Sequence, residues 1–387
     1  MSEEKNVYYG RGTAEMFDDY IDFINYVFGF NGDSSDFKKL LPKLYKYEYE
    51  PAVNSFVVAE NGKFKAAVGA FDHDISVCGC RIKTRGIGNV AVHPYSRGCG
   101  YMKKLMNMAL DDMIESGIDL TVLGGRRQRY NYFSYDKLGS NISMSFNNDN
   151  MRHIFGKDRK HEIVIKRLAS SDSDLISEIK KLSESKPFFG IRSEEKYFEI
   201  ISSWHQKAYV ATLNDDFLGY AVLKNGDVSE FLVTDETKIP EFISALYDHL
   251  GASSIRVSVP AFLPAYVDAL IGICEGYSLE CSKFFSVLNY KKVVGAFMNL
   301  KATYTKMPDG CIVIDVDGKA GHERIKVSVA DGVPSVEYTD AEPDLALSHL
   351  DAMNLLFAPV SVKRDKLQDF VKIWFPLPIY IYSSDAV

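Results

Sequence analysis

The residues best suited to chemistry lie in one run, Asn89-Val90-Ala91-Val92-His93-Pro94-Tyr95-Ser96-Arg97-Gly98-Cys99-Gly100-Tyr101-Met102. An apolar stretch stops at a proline, and a short basic, glycine-bearing turn opens an amphipathic pattern. Such a junction can cradle an anion, because the first N–H groups of a helix lack internal partners and carry partial positive charge. Gly98 and Gly100 would let a phosphate approach the backbone, and Arg97 would add a charged donor. The same pattern also describes an ordinary strand–turn–helix junction that uses glycine only for its dihedrals. It is not a P-loop, since GxxxxGK[ST] is absent, and one Gly-x-Gly falls short of the dinucleotide fingerprint.

Other chemistry-bearing residues read more blandly. His93, at a strand end before proline, reads as a solvated turn residue. Asp72-His73-Asp74 reads as a solvated turn, because three consecutive residues alternate direction and rarely converge on one metal. Cys99 sits where a helix N-terminus would lower a thiol pKa, but nothing nearby marks it as a nucleophile. Arg126, Arg127 and Arg129 read as a solvated basic loop or as arms reaching for phosphates. Glu60, Glu115 and Asp136 are unranked candidate bases. The six cysteines are scattered with no CxxC pair, so a disulfide framework is not expected and a reducing compartment is.

The elements that must position the basic turn alternate in type. Phe17, Tyr20, Ile21, Ile24 and Phe28 recur at helical spacing. Ser55–Ala59 and Ala66–Phe71 predict a hairpin about Glu60–Lys63, and Ile87–Val92 predicts a strand. From Gly100 to about Ser116 a helix is expected, with Met102, Leu105, Met106, Ala109 and Met113 on one face and Gly117 as its cap. Leu120–Leu123 reads as a buried strand. A polar stretch at 147–150 and a charge run at 157–160 suggest a boundary. Beyond it, Tyr209–Thr212 and Leu218–Leu223 echo the first hairpin. A helix from Pro240 to Leu250 and a strand at Ser254–Val259 come next, without a glycine turn. In the last third, strands are expected at Cys311–Val316 and Ile325–Val329, an amphipathic helix at Asp344–Phe357, and an apolar strand near Pro376–Tyr382.

The chain's 387 residues suggest two or three domains, and 46% hydrophobic with 25% charged residues is ordinary globular composition. The net charge of -7 argues against nucleic acid and favours a cationic small-molecule partner. MSEEKNVYYGRG lacks the apolar core of a signal peptide, and no apolar run is long enough for a membrane helix. The expectation is a soluble, cytoplasmic protein.

The run at 89–102 resembles the acyl-CoA-binding motif of GNAT N-acetyltransferases, Q/R-x-x-G-x-G/A, with Tyr95 in place of the first Gln or Arg. The resemblance implies acetyl-CoA as co-substrate, held by Val90, Ala91, Val92, Arg97, Gly98, Cys99, Gly100 and Tyr101. It also implies a splayed strand at Gly88–Val92, with the Val90 N–H on the thioester oxygen. Tyr130-Asn131-Tyr132-Phe133-Ser134-Tyr135 resembles the Y-x-x-F-G-Y run of the Eis-like (enhanced intracellular survival) subgroup. That likeness makes Tyr130 the general acid toward the CoA thiolate. Aligning Tyr135-Asp136-Lys137-Leu138-Gly139 with the common Y-E-K-L-G would choose Tyr135 instead.

Eis-like architecture implies an α/β (α+β) fold of two tandem mixed-sheet domains, catalytic at 1–150 and degenerate at 151–290. A sterol-carrier-like α+β domain would occupy 291–387. It implies a chain end folded back so that the Val387 carboxylate holds the amine or takes its proton, although such a terminus can equally be frayed. The activity implied is acetyl transfer to a primary amine (polyamine, aminoglycoside-like or lysine-type), by direct attack in a homo-oligomer, possibly a hexamer. No metal, nucleic acid or membrane partner is expected. The rival reading is a non-catalytic acyl-CoA or lipid sensor using the carrier-like domain.

Overall fold

The computed structural model describes residues 6–30, 32 and 35–387. Part of the polar N-terminal segment, residues 1–5, lies outside the described residues. The helix read from the phenylalanine and tyrosine periodicity spans Phe17–Gly29. It buries Phe17, Tyr20, Ile21, Phe23 and Ile24. Phe28, expected on that face, is exposed and packs edge-on against Phe37 instead. The hairpin Ser55–Glu60/Lys63–Asp72, the strand Thr84–Val92, the helix Tyr101–Glu115 and the strand Leu120–Leu123 all form.

These strands build a seven-stranded sheet in the order Val7–Arg11, Ser55–Glu60, Lys63–Asp72, Thr84–Val92, Leu120–Leu123, Lys283–Val287, Asp136–Leu138. The first four are antiparallel neighbours, and the fourth and fifth run parallel. A second seven-stranded sheet repeats the arrangement as Ile163–Arg167, Lys207–Leu213, Asp216–Lys224, Asp227–Val233, Ser254–Pro260, Asn141–Asn147, Gly276–Glu280. Again the fourth and fifth strands are parallel.

The sixth position of each sheet is filled from the other. Asn141–Asn147, which comes after the last strand of the first sheet, enters the second sheet. Lys283–Val287, which comes after the last strand of the second, enters the first. At the level of the sheets the segments before and after position 150 therefore interlock. The protein is a mixed α/β fold with two like-ordered sheets.

A three-stranded sheet, Phe188–Gly190, Ile75–Val77, Cys80–Ile82, joins the two units, and the chain from 290 onward forms a four-stranded sheet, Val333–Tyr338, Gly321–Ala330, Gly310–Gly318, Leu345–Ser348, flanked by the helices Tyr290–Ala302 and His349–Phe357. The helix expected from Asp344 begins only at His349. Residues 345–348 pair in parallel with 314–317, and the Ser348 hydroxyl accepts the Asp351 N–H at 3.3 Å, capping the helix from His349. The apolar tail is not a strand either. Leu377 and Ile379–Tyr382 are buried without joining a sheet. Among the described residues no helix is long and apolar enough to cross a membrane, and no group of metal-ligating side chains assembles.

Candidate active site

The fourth and fifth strands of the first sheet pair from Thr84↔Leu120 to Ile87↔Leu123 and no further. The fifth strand ends there, while the fourth runs on to Val92 with that edge unpaired. On its other side the strand carries a bulge. Gly88 faces Gly69 and Ala91 faces Ala67, so Asn89 and Val90 together oppose Val68. Asn89 takes φ +47°, a left-handed conformation asparagine tolerates better than most residues. Its side-chain amide donates to Tyr45, which fixes the bulge from the buried side. Beyond Ile87, the edge of residues 88–92 that faces away from Lys63–Asp72 has no partner strand among the described residues, while Ala91 and Val92 stay paired with Ala67 and Ala66 on the other edge.

The strand leads into Pro94–Ser96, then Arg97, Gly98, Cys99 and Gly100, then the helix from Tyr101. Gly98 and Gly100 have φ +86° and +78°, and a Cβ at either would meet nothing within 4 Å. These glycines serve conformation, and the space beside them is open. Arg97 to Gly100 are exposed. The turn thus fits a phosphate-bearing ligand. Tyr101 points elsewhere, donating its hydroxyl to Glu60. His93 is stacked by Tyr26 (centroids 5.4 Å apart) and accepts the Tyr95 N–H, so it closes the turn.

Past the fifth strand, the short helix Arg127–Tyr130 brings Tyr130 into the core of the same unit, only 5% exposed. Gly125 makes this possible, because any Cβ there would collide with the Tyr130 ring. Burial pushes the phenol's pKa up, with Arg129 partly offsetting it, so the hydroxyl stays protonated at neutral pH, as a general acid requires. The Tyr135 hydroxyl is bonded to Thr121 at 2.8 Å and fully buried, whereas Tyr130 has Arg129 beside it. Arg127 is exposed, as expected of the basic run, but it is not free. It grips Asp136 with two bonds of 2.7 and 2.9 Å, and Asn354 from the last third of the chain joins at 3.0 Å. Asp136 is thereby occupied as a structural anchor.

The chain end reaches this unit. A Cβ on Gly88 would stand 3.2 Å from the terminal carbonyl carbon of Val387, and one on Gly86 would strike the Val387 side chain. The two glycines thus leave room for the terminus along the fourth strand. Several residues hold the tail in place. Lys43 Nζ donates to the carbonyls of Ser384 (2.6 Å) and Ala386 (2.8 Å), and Trp204 Nε1 donates to Ala386 at 3.0 Å. Arg192 forks onto Asp385 (2.7 and 3.0 Å) and onto Glu230 (2.9 Å twice). Ser384 adds a bond to Glu230 at 3.0 Å. Burial opposes the Arg192 charge, but Asp385 and Glu230 more than restore it. Burial pulls the Lys43 ammonium down to about 7.

Sequence patterns gave no role to Lys43, Arg192 or Trp204. One signal was present: Gly86-Ile87-Gly88 within a strand marks a close approach of other chain.

Beside the tail lies a cavity of about 430 Å³ between the two units. Its lining carries the carboxylates of Asp72, Asp74, Glu195 and Asp385 and the chain end, against Lys43, Arg192 and Lys196. His73 also lines it. The expected solvated turn is therefore overturned at His73, whose ring is packed against Gly86, with Cε1 2.8 Å from where a Cβ would be.

Comparison with known proteins places the first unit. Residues 9–140 match the family model for an acetyltransferase (GNAT) domain. No curated protein sequence matches the chain. Among solved structures, it is similar over 91% of its length to 88% of a GCN5-related N-acetyltransferase from Kribbella flavida (18% identity, TM-score 0.64). It is similar over 97% of its length to 98% of a GCN5-related N-acetyltransferase from Anabaena variabilis (14%, 0.67). Eis1 from Mycobacterium abscessus aligns over the same shares (14%, 0.62). The chain thus carries a GNAT acetyltransferase domain in its first third, within a fold shared along nearly its whole length with these structures.

Proposed function

We propose that the protein is an acetyl-CoA-dependent N-acetyltransferase acting on a primary amine, with Eis-like organisation. The observation that carries this reading is the fourth strand's departure from the fifth after Ile87, above the open Arg97–Gly100 turn. In this reading Arg97 and the amides of Gly98–Tyr101 bind the pyrophosphate, and the edge Val90–Val92 binds the pantetheine arm. The Val90 N–H stabilises the carbonyl oxygen as it gains charge. Acetyl-CoA supplies the activated acetyl group.

Tyr130 gives its proton to the departing thiolate. The Val387 carboxylate, beside Gly88, orients the amine and takes its proton, directly or through water. That step is needed because an amine of pKa ~10 is mostly charged at neutral pH. Holding both reactants together removes the need for a covalent enzyme intermediate. The last third, read as carrier-like, supplies the tail that delivers the carboxylate.

The experiment is thiol release from acetyl-CoA with a panel of polyamines, aminoglycosides and lysine peptides. Turnover with at least one amine, lost when residues are appended beyond Val387, is expected. Acetyl-CoA binding without turnover across the panel would contradict the reading and favour a sensor.

A further inference from the structure

One buried polar atom beside the terminus is left without a use. His73 Nδ1 lies 3.2 Å from the Phe71 carbonyl, which can only accept, so Nδ1 carries the proton and Nε2 is left with a lone pair. Nε2 is shielded from solvent and has no hydrogen-bond partner among the described residues. Leaving such an acceptor bare is unfavourable, and a ligand donating to it would recover that cost. The Val387 side chain and the Cε1–Nδ1 edge of the His73 ring crowd the same point beside Gly86, and both residues line the cavity.

We propose that His73 Nε2 is a specificity determinant that accepts a hydrogen bond from a second N–H donor of the acceptor, while the reacting nitrogen lies at the Val387 carboxylate. This inference rests on the function proposed above. Gly86, beside His73, and Gly88, beside the terminal carboxylate, share one face of a strand, about 7 Å apart. Val387 also meets His73 beside Gly86, so a short diamine could engage both groups. The groups facing His73 are Asp72, Lys43, Asp385 and the chain end. Asp72 is paired with Arg85, and Asp385 with Arg192. The cavity as a whole holds more carboxylates than cations, which suits a dication. Burial, and then Lys43, lower the His73 pKa, which keeps the imidazole neutral and accepting at neutral pH.

The test compares 1,4-diaminobutane with n-butylamine as acceptors. Wild type should favour the diamine at least ~10-fold in kcat/KM, through KM. His73→Leu should erase that preference and leave n-butylamine unchanged. His73→Gln, which keeps an acceptor at similar reach, should retain most of it. Equal loss for both amines, or no loss, would overturn the proposal. Histidine-¹⁵N spectra of the full chain separate this from failure of the acetyl-transfer reading. If neither amine is turned over, a His73 Nε2 shift on adding 1,4-diaminobutane but not n-butylamine still supports the site. No such shift overturns it.

Discussion

The two seven-stranded sheets share strand order and a parallel fourth–fifth pair, yet they treat the resulting opening in opposite ways. In the second sheet the parallel pairing is shorter still, limited to Asp227↔Arg256 and Val228↔Val257. The opening there is sealed by the protein itself. Tyr266, on the helix after the fifth strand, accepts the Val233 N–H at 3.0 Å and packs on Phe231. It is the counterpart of Tyr130. Where the first unit has its glycine turn, the second has Asp235, whose carboxylate accepts the Thr237 N–H and hydroxyl at 3.0 and 2.7 Å. An acidic side chain thus sits where an anion would bind. The topology makes the opening in both units, and the side chains decide whether a ligand or the protein fills it.

The contrast extends to charge. The second unit uses its interior to bury an ion cluster, Arg192–Asp385–Glu230, which fastens the chain end. The chain end is then presented to the first unit, so the sealed unit serves the open one.

The largest effect should come from breaking that service. Arg192→Leu leaves Asp385 and Glu230 buried and unpaired, which should cost about 3–5 kcal/mol in denaturant unfolding. If stability holds, the cluster is not what fixes the tail. Next, Tyr130→Phe should lower kcat about 10²-fold or more with acetyl-CoA affinity unchanged. Tyr135→Phe should instead cost about 1 kcal/mol of stability and leave kcat near wild type. A reversal of these two would reassign the acid. Smallest, Tyr266→Phe should lower stability by about 1 kcal/mol and leave turnover intact, because its hydroxyl only closes the second opening. A loss of turnover there would mean that the sealed unit takes part in chemistry.

Much of the first unit was legible in the residues, because helix 101–115 and the hairpin at 55–72 announce themselves by period and turn chemistry. The exchange of Asn141–Asn147 and Lys283–Val287 was not, since pairing between distant segments leaves no local pattern. Leu345–Ser348 looked helical because its alternation is too short to separate from the helix it precedes. In the site, the glycine turn was readable from spacing. His73 was not, because its neighbour Val387 arrives from the far end of the chain. Lys43 and Trp204 act through backbone carbonyls, for which no side-chain motif exists.

Only the first unit's opening should receive acetyl-CoA. Calorimetric titration of the full chain with acetyl-CoA tests it most directly, alongside Gly98→Asp, which gives the first turn the acid found in the second. One site per chain is expected, weakened at least ~10-fold by Gly98→Asp through charge at the helix start. No binding at millimolar acetyl-CoA, or binding indifferent to Gly98→Asp, would contradict it.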